Sequence, residues 1–447
     1  MSFCWSLRAA HSQTAAPVRR VTLDELVDRA KKSDRVEAAR DKLRGAEARR
    51  DLVRAMWIPQ LEITATGGPG PEITCLPSPE MCTSTNVKSV YRIGDQPTFR
   101  IDGTVTMPLY TFGKLSHGSD AADEGLAAAQ ASVEASRADV ALEVARVYYG
   151  LKLAREILIM LEEGRGHVTV EIDRIERELD KGKTNVSEYD RYRMRSLLTE
   201  IDARRSETQR SVADALVAIR ALCGDDAIDI DDAPLAELPA VALGTGAEAR
   251  EMGRDKRPEH RAVNAGVKAQ EHLATIEELR WLPDIVLRLG GTVARDPGAD
   301  VPFNAYYNNQ LNVTGVWAVI AMHWTLDGTR PGRVREQNAE LDHARTSERL
   351  VGLGLGWEAQ SAWNAAQDAR RRLDAVRAGD AAAHSWVVAV LQNTELGTAE
   401  PRDLNEALQA YFIMHARLYS AMYDWNVGLH AFARATGRDW RELLPKQ

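Results

Sequence analysis

The sequence has few of the features that mark ordinary globular proteins, membrane-helix proteins or nucleic-acid-binding proteins. Aromatic residues make up only 6% of the 447 residues, which is little material for a bulky globular core. No run of about 18 apolar residues occurs, so no transmembrane helix is predicted, whereas a transmembrane strand needs only about 10 alternating residues. The net charge of −8 argues against nucleic acid as a partner, because phosphate binding requires a basic surface.

The sequence also lacks the usual marks of an enzyme. There is no phosphate-binding loop, no nucleophile elbow and no pair of histidines at metal-ligand spacing. The ten histidines are scattered along the chain, and an isolated histidine is far more often structural than catalytic. We therefore predict that the protein is not an enzyme and that it carries no cofactor and no metal ion.

Cysteine is rare, and only Cys75 and Cys82 lie close together, in a proline-rich stretch. In an oxidising compartment this pair could form a small disulfide loop, and the alternative is two unpaired loop thiols.

The first 20 residues contain three arginines but no apolar stretch long enough for the core of a signal peptide. Either the protein is cytoplasmic, or its start is assigned too far downstream and residues 1–20 are a residual export segment or a disordered arm. The features described next favour the second interpretation.

The sequence contains an internal duplication. Three landmarks recur in the same order: Trp57-Ile58-Pro59 as Trp281-Leu282-Pro283, the motif ending at Gly113 as the one ending at Gly328, and Gly182 as Gly397. The last two pairs are separated by the same number of residues, which chance similarity would not maintain across long helices.

Each repeat has the same predicted order of helix, strand, strand, long helix and helix. In the first repeat, residues 21–224, these are a helix from Thr22 to Trp57, strands at about 60–67 and 98–108, a long helix at about 114–181 and a helix at about 187–223. An acidic linker follows at 225–247. In the second repeat, residues 248–437, they are a helix at about 250–281, strands at about 284–292 and 311–324, a long helix at about 333–396 and a helix at about 403–436, before a tail at 438–447.

The predicted strands mostly alternate apolar and polar residues, as Leu61 and Ile63 do with Glu62 and Thr64. The stretch 313–322 is apolar on both faces, so its orientation is not readable. Aromatic residues stand at the helix-proximal ends of the strands: Trp57, Tyr110, Phe112, Trp281 and Trp324. This placement matches an aromatic belt at a membrane–water interface, and the alternative is ordinary core aromatics at a helix–strand junction.

The long helices are predicted to pack as coiled coils. Between Lys114 and about Asp180 no proline occurs, and apolar residues recur every seven positions from Leu126 to Leu161. A helix of that length would measure about 100 Å, so the two shorter helices of a repeat could stack end to end beside it. In the second long helix, the glycines at 352, 354 and 356 predict a bend or an additional contact.

Four strands cannot close a transmembrane barrel, because membrane barrels begin at about eight strands. Open strand edges are not tolerated in lipid, so the chain is expected to oligomerise. Three copies would supply twelve strands, with the helices forming the wall of a tunnel.

The ordered set of motifs resembles the TolC-like outer-membrane efflux protein family. The motifs are Pro108-Leu109-Tyr110-Thr111-Phe112-Gly113, the alanine-rich helix ending Ala145-Arg146-Val147-Tyr148-Tyr149, Leu396-Gly397-Thr398, Asp403-Leu404-Asn405-Glu406-Ala407, Ala421-Met422-Tyr423-Asp424-Trp425 and Ala435-Thr436-Gly437. The resemblance covers about residues 21–437.

This resemblance implies a mainly α protein with a small β part, assembled as a homotrimer. Its twelve-stranded β-barrel, with four strands per chain, would lie in the outer membrane on a long periplasmic α-helical barrel. A periplasmic adaptor protein would dock on the helix-hairpin tips, which correspond here to Gly182, Lys183, Thr184, Gly397 and Thr398. An inner-membrane transporter would be an indirect partner.

The resemblance also places acidic residues at the periplasmic aperture, namely Glu188, Asp190 and Asp403. The alternative for Glu188 and Asp403 is that their charge complements a helix N-terminus. The basic residue that the family often has two positions after the second tip glycine is Ala399 here, and Lys183 or Arg402 could substitute for it.

The resemblance therefore implies the outer-membrane channel of a tripartite efflux pump or type I secretion system. Such a channel is a passive exit duct opened by its adaptor. The alternative is a soluble, elongated coiled-coil scaffold without transport activity, which fits the charge-rich helices but leaves the strand pairs and their aromatics unexplained.

Overall fold

The computed structural model describes residues 19–74, 90–182, 186–297, 311–395 and 401–443. Several predicted functional positions lie outside these ranges: Cys75, Cys82, Lys183, Thr184, Gly397 and Thr398.

The two repeats share one order of elements. The first contains β1 (Arg19–Val21), α1 (Leu23–Ala30), α2 (Asp34–Ala55), β2 (Gln60–Thr74), β3 (Val90–Tyr110), α3 (Lys114–Asp180) and α4 (Glu188–Cys223). After β4 (Ile228–Ile230), the second contains α5 (Gly246–Asp255), α6 (Pro258–Leu279), β5 (Asp284–Arg295), β6 (Val313–His323), α7 (Arg330–Glu395) and α8 (Pro401–Ala435), and a short 3-10 helix follows at Trp440–Leu443. The predicted fold class, a duplicated and mainly helical chain with a small sheet, is confirmed.

The first helix of each repeat is broken in two, which corrects the prediction of one continuous helix. Thr22 caps α1 by accepting a hydrogen bond from the Glu25 amide, and the chain turns before α2 starts after Ser33, a residue type that favours helix starts. In the second repeat, Thr245 and Glu248 form a capping box at the start of α5. Pro258 then begins a new helix, because proline disfavours helical geometry at the residue before it.

The main sheet is antiparallel, with the strand order β2-β3-β5-β6. Its strands are longer than predicted, since β2 continues to Thr74 and β3 begins at Val90. The outer edges of β2 and β6 pair with no strand in the part of the chain that the structure describes. As far as the described residues show, the sheet is therefore open at both sides.

Register settles the orientation of β6, which the sequence left open. Ile63 pairs with Gly103, Gly103 with Gly291, and Gly291 with Val316, and directly paired residues point to the same face. Val316, with Ala318, Ile320 and Met322 at alternate positions, thus shares the face of Leu61 and Ile63. Trp317 points to the opposite face.

The predicted acidic linker is an ordered part of the fold rather than a simple connection. Its β4 pairs in parallel with β1, residue Arg19 opposite Ile228. The carboxylate of Asp231 accepts hydrogen bonds from Tyr148 Oη at 2.6 Å and Lys152 Nζ at 2.8 Å. Further along, the indole of Trp425 donates to the Leu238 carbonyl at 2.8 Å, so the linker is bound to both α3 and α8.

The glycine-rich segment of α7 does not interrupt the helix, which runs from Arg330 to Glu395. It provides a close contact, which is one of the two outcomes that the sequence predicted. A Cβ on Gly356 would lie 3.2 Å from Arg250 Cγ of α5, and one on Gly253 would lie 2.9 Å from the Leu355 carbonyl oxygen. Small residues on both helices allow α5 and α7 to approach closely.

The chain divides into two compact units. The first comprises Met1–Lys42, Ala129–Ala262 and Glu348–Gln447, and contains most of the helical residues and the β1–β4 pair. It holds three buried apolar clusters, whose largest fully buried side chains include Trp425 and Phe432.

The second unit comprises Leu43–Ala128 and Val263–Ser347 and contains the main sheet with the adjoining helix ends. Its buried apolar cluster is small and consists of Val267, Ala274 and Leu341. None of the described helices is long and apolar enough to cross a membrane.

Candidate functional site

One face of the main sheet is apolar and exposed. Leu61 and Ile63 are each 64% exposed, Ile320 is 72% exposed and Val316 is 91% exposed. Burying such residues is favourable by about 25 cal/mol for each Å² of apolar surface. A face of this kind is typical of a surface that meets lipid or another chain.

The opposite face of the sheet carries the polar residues. Arg100 Nε lies 2.6 Å from Asp102 Oδ2, and Thr292 Oγ1 donates to Asp102 Oδ1 at 2.7 Å. Trp317 shares this face and covers Gly290, where a Cβ would lie 2.8 Å from the indole nitrogen. The two faces therefore differ as the alternation predicted.

The five predicted interface aromatics all stand where the strands meet the helices. Trp57 and Trp281 precede β2 and β5, Tyr110 ends β3, and Trp324 follows β6; these four are between 45% and 55% exposed.

Several contacts fix these aromatics in place. Trp324 Nε1 donates to the Trp281 carbonyl at 2.6 Å, and the rings of Tyr110 and Phe112 meet edge to face at 4.6 Å. Lys114 Nζ donates to the Leu282 carbonyl at 2.9 Å, which joins the equivalent junctions of the two repeats.

At the other predicted site, the α3–α4 hairpin, a capping box defines the start of α4. Gly182 adopts φ +69°, a left-handed conformation that glycine accepts without steric cost. Ser187 caps α4, and Asp190 Oδ2 accepts hydrogen bonds from the Ser187 amide at 3.0 Å and from its hydroxyl at 2.6 Å. The carboxylate of Asp190 thus performs a local structural task.

The other two predicted aperture residues also lie in first helical turns. Glu188 is 54% exposed, with Oε2 2.5 Å from Arg191 Nη2. Asp403 is exposed in the first turn of α8, next to Arg402, whose Nε lies 2.8 Å from Glu406. All three carboxylates therefore also complement the positive ends of helix dipoles.

The α3–α4 and α7–α8 hairpins share one apolar core near these helix starts. Ile175 of α3 and Met194 of α4 are fully buried, and they share one cluster with the buried Val390 of α7 and Leu404 of α8. The described parts of these four helices thus pack into one apolar cluster.

A charge network built around two buried arginines, which the sequence did not indicate, joins four helices. Arg434 of α8 contacts Asp139 of α3 and Glu259 of α6, and Arg257 contacts Glu259 and Glu358 of α7. Burial would raise the pKa of Glu259, but hydrogen bonds from Arg434 and Arg257 outweigh it and lower that pKa to about 2. The network therefore stays charged at neutral pH.

Sequence reasoning also missed a group of possible metal ligands, because its members belong to different repeats. His117 and Asp120 of α3 lie beside His272 of α6, with all three ligand atoms within 4.8 Å of one another. Separate helices bring the histidines together, so no local spacing could reveal them.

Comparisons with known proteins agree with this architecture. Residues 26–225 match the outer membrane efflux protein family, and the resemblance drawn from the motifs is thereby confirmed. A search of curated proteins found no significant match.

Solved structures share the fold along almost the whole chain. The outer-membrane channel OprN has a TM-score of 0.76 at 19% identity, covering 94% of this chain and 90% of that chain. The Campylobacter jejuni CmeC outer membrane channel has a TM-score of 0.75 at 15% identity, covering 99% and 96%. The open state of the Neisseria gonorrhoeae MtrE outer membrane channel has a TM-score of 0.72 at 16% identity, covering 93% and 89%. At these identities the likeness establishes the fold.

Proposed function

Residues 26–225 belong to the outer membrane efflux protein family, and on this premise we propose that the chain is one protomer of a passive exit channel in the outer membrane. The observation that carries the proposal is the main sheet, which has one exposed apolar face and two unpaired edges within the described residues. In lipid, every strand edge must be paired, because no water is present to satisfy its amides and carbonyls. The sheet is therefore completed by other copies of itself.

A homotrimer meets this requirement. Four strands from each of three chains give twelve, and membrane barrels range upward from about eight. The apolar face with Leu61, Ile63 and Val316 would then meet lipid, and the polar face with Arg100 and Asp102 would line the lumen. Trp57, Tyr110, Phe112, Trp281 and Trp324 would form the belt at the periplasmic interface.

The hairpin ends are the proposed periplasmic mouth. The turns that contain Gly182, Lys183, Thr184, Gly397 and Thr398 would bind a periplasmic adaptor protein, which would connect the channel to an inner-membrane transporter. Carboxylates of Glu188, Asp190 and Asp403 from three protomers would favour cations over anions at the aperture. Opening requires that the adaptor bind the open arrangement of the hairpins more tightly than the closed one.

Cell fractionation and oligomer analysis test the proposal. The protein should sediment with outer membranes, require detergent for extraction, and run as a trimer that heating dissociates. A protein that stays in the soluble fraction as a folded monomer without detergent would instead support the coiled-coil scaffold. That alternative does not explain the exposed apolar face.

Single-channel recordings in planar bilayers test the aperture. Replacing both acids, Glu188→Gln with Asp403→Asn, should lower the preference for cations, because it removes negative charge from the narrowest point. The matched control is Glu207→Gln, an exposed acid further along α4. Equal cation selectivity in the double variant and the control would contradict the assignment of Glu188 and Asp403 to the aperture. Their charges would then serve only to complement the helix N-termini.

A further inference from the structure

Two histidines and an aspartate converge where α3 and α6 meet the main sheet. His117 and Asp120 are three residues apart and so lie on one face of α3, close to the end of β3. His272 lies on α6, about two turns before that helix leads into β5. All three belong to the second compact unit.

The ligand atoms are spaced as one metal ion requires. The Nδ1 atoms of His117 and His272 are 3.0 Å apart, and Asp120 Oδ2 lies 4.0 Å from His272 Nδ1. Zinc binds histidine nitrogen at about 2.0–2.1 Å, so two nitrogens on one ion lie roughly 3 Å apart. The histidine pair already meets that distance, and the carboxylate, whose ligand atom lies within 4.8 Å of both histidine ligand atoms, would have to move closer to them.

The surroundings leave room for an ion and for that movement. The Asp120 side chain is 54% exposed and that of His272 is 30% exposed, while His117 is half-buried. One turn away, the amine of Lys268 lies 3.9 Å from Glu124 on α3, so this positive charge is paired with a carboxylate other than Asp120. Solvent can therefore supply both the ion and a water as a further ligand.

A simple hydrogen bond between two neutral imidazoles would also explain the 3.0 Å distance. In that arrangement one imidazole donates its Nδ1–H to the Nδ1 of the other, and the position of Asp120 beside them is not explained. Two imidazoles and one carboxylate on an open site are, by contrast, a ligand set found with zinc, copper, nickel and iron. Calcium and magnesium prefer oxygen ligands and are poorly matched to it.

We propose that His117, Asp120 and His272 bind one divalent transition-metal ion per chain, with Zn²⁺ as the best-matched ion. The bound ion joins the first turns of α3 to the last turns of α6 and so links the two repeats next to β3 and β5. Because the ligands come together only in the folded chain, the ion stabilises the folded state by mass action.

Cobalt provides a direct test, because its visible absorption reports on ligand type and geometry. The purified, untagged full-length protein, in detergent where needed, is freed of metal with a chelator and titrated with Co²⁺. The expected result is an absorption band that saturates at one Co²⁺ ion per chain. Zn²⁺ should displace the bound Co²⁺ and abolish the band, whereas Mg²⁺ and Ca²⁺ should not. A wild-type protein with native helix content that binds no Co²⁺ would overturn the proposal.

Variants assign the ligands. His117→Ala and His272→Ala should each abolish the band, and Asp120→Asn should weaken binding by about tenfold or more. The control, His343→Ala, removes an exposed histidine of α7 in the same unit and should leave the band unchanged. Circular dichroism verifies that each variant is folded. If a histidine variant does not fold, the conservative variant Asp120→Asn still tests the site.

Two outcomes contradict the ligand assignment. If Asp120→Asn binds Co²⁺ like the wild type, the carboxylate is not a ligand and the proposed set of three ligands is wrong. If all variants bind equally, the ion sits elsewhere. Neither outcome bears on the channel proposal, which depends on membrane localisation and oligomer formation.

Discussion

In the first unit Trp425 and Phe432 are almost completely inaccessible to solvent, whereas in the second unit Val316 and Ile320 are among the most exposed apolar side chains of the described residues. The first unit also pairs its buried charges internally, as Arg434 does with Glu259. The first unit thus buries its large apolar side chains and pairs its buried charges within itself. The second unit exposes an apolar surface that is stabilised only by contact with lipid or another chain. Substitutions in the two parts should therefore fail in different ways.

The largest effect is expected on the apolar face of the sheet. Val316→Lys places a charge on the face proposed to meet lipid, at a cost of about 2–4 kcal/mol for each of three copies if the site lies near the bilayer midplane. The heat-sensitive trimer should be lost on semi-native gels.

The matched control is Thr104→Lys, which places the same side chain on the polar face. It should leave the trimer intact. Equal loss of trimer in both variants would show that the two faces do not differ in their surroundings.

The next largest effect is expected in the charge network of the first unit. Arg434→Met leaves the partly buried Glu259 with one arginine fewer and should lower the free energy of unfolding by about 2 kcal/mol, because a charge-assisted hydrogen bond is lost. Thermal melts provide the measurement. The control is Arg417→Met, which replaces an exposed arginine on the same helix. It should change the free energy of unfolding by less than about 0.5 kcal/mol.

The same network predicts a pH dependence. The pKa of Glu259 is lowered from its ordinary value of 4.5 to about 2, so its stabilising contribution is complete above about 4.5 and is lost as the pH falls through about 2. Melting temperatures of Glu259→Gln should therefore be lower than wild type at pH 7 and converge with it in acid. Parallel curves would contradict the assignment.

A smaller effect is expected where α5 and α7 approach closely. In Gly253→Ala the new methyl group would lie 2.9 Å from the Leu355 carbonyl oxygen and 3.0 Å from that of Ala435. Overpacking of this kind costs about 1–3 kcal/mol. In Gly354→Ala the methyl group meets nothing within 4 Å and should stabilise α7 by up to about 1 kcal/mol, so the two melting temperatures should move in opposite directions.

The smallest effect is expected at the start of α4. Ser187→Ala removes the capping hydroxyl and should cost about 1 kcal/mol. Amide hydrogen exchange should accelerate in the first turn of α4 and remain unchanged in Ser196→Ala, an exposed interior position of the same helix. Unchanged exchange in Ser187→Ala would mean that the cap does not hold this turn.

The elements that the sequence revealed are those that depend on neighbours along the chain. The apolar spacing from Leu126 to Leu161 indicated a helix at about 114–181, and the structure has α3 at Lys114–Asp180. Alternation likewise separated Leu61 and Ile63 from Glu62 and Thr64. These patterns are local, because a helix or strand repeats its face every few residues.

The remaining features depend on partners that are distant in sequence. The break between α1 and α2 is coupled to the burial of Leu26 and Val36 in one cluster with residues of α3 and β4. A strand of three residues such as β4 has no periodicity to detect, and the face of β6 emerged only from its pairing with β5. His117 and His272 are neighbours only because the two repeats fold against one sheet.

The pairing of β1 with β4 also has a consequence for the order of folding. Arg19 lies opposite Ile228, so the entire first repeat is enclosed between two strands that must meet. During synthesis the N-terminal strand has to wait unpaired until the ribosome has released the segment after α4. Closure of this loop is thus a late event, and it links the completion of the first repeat to the emergence of the second.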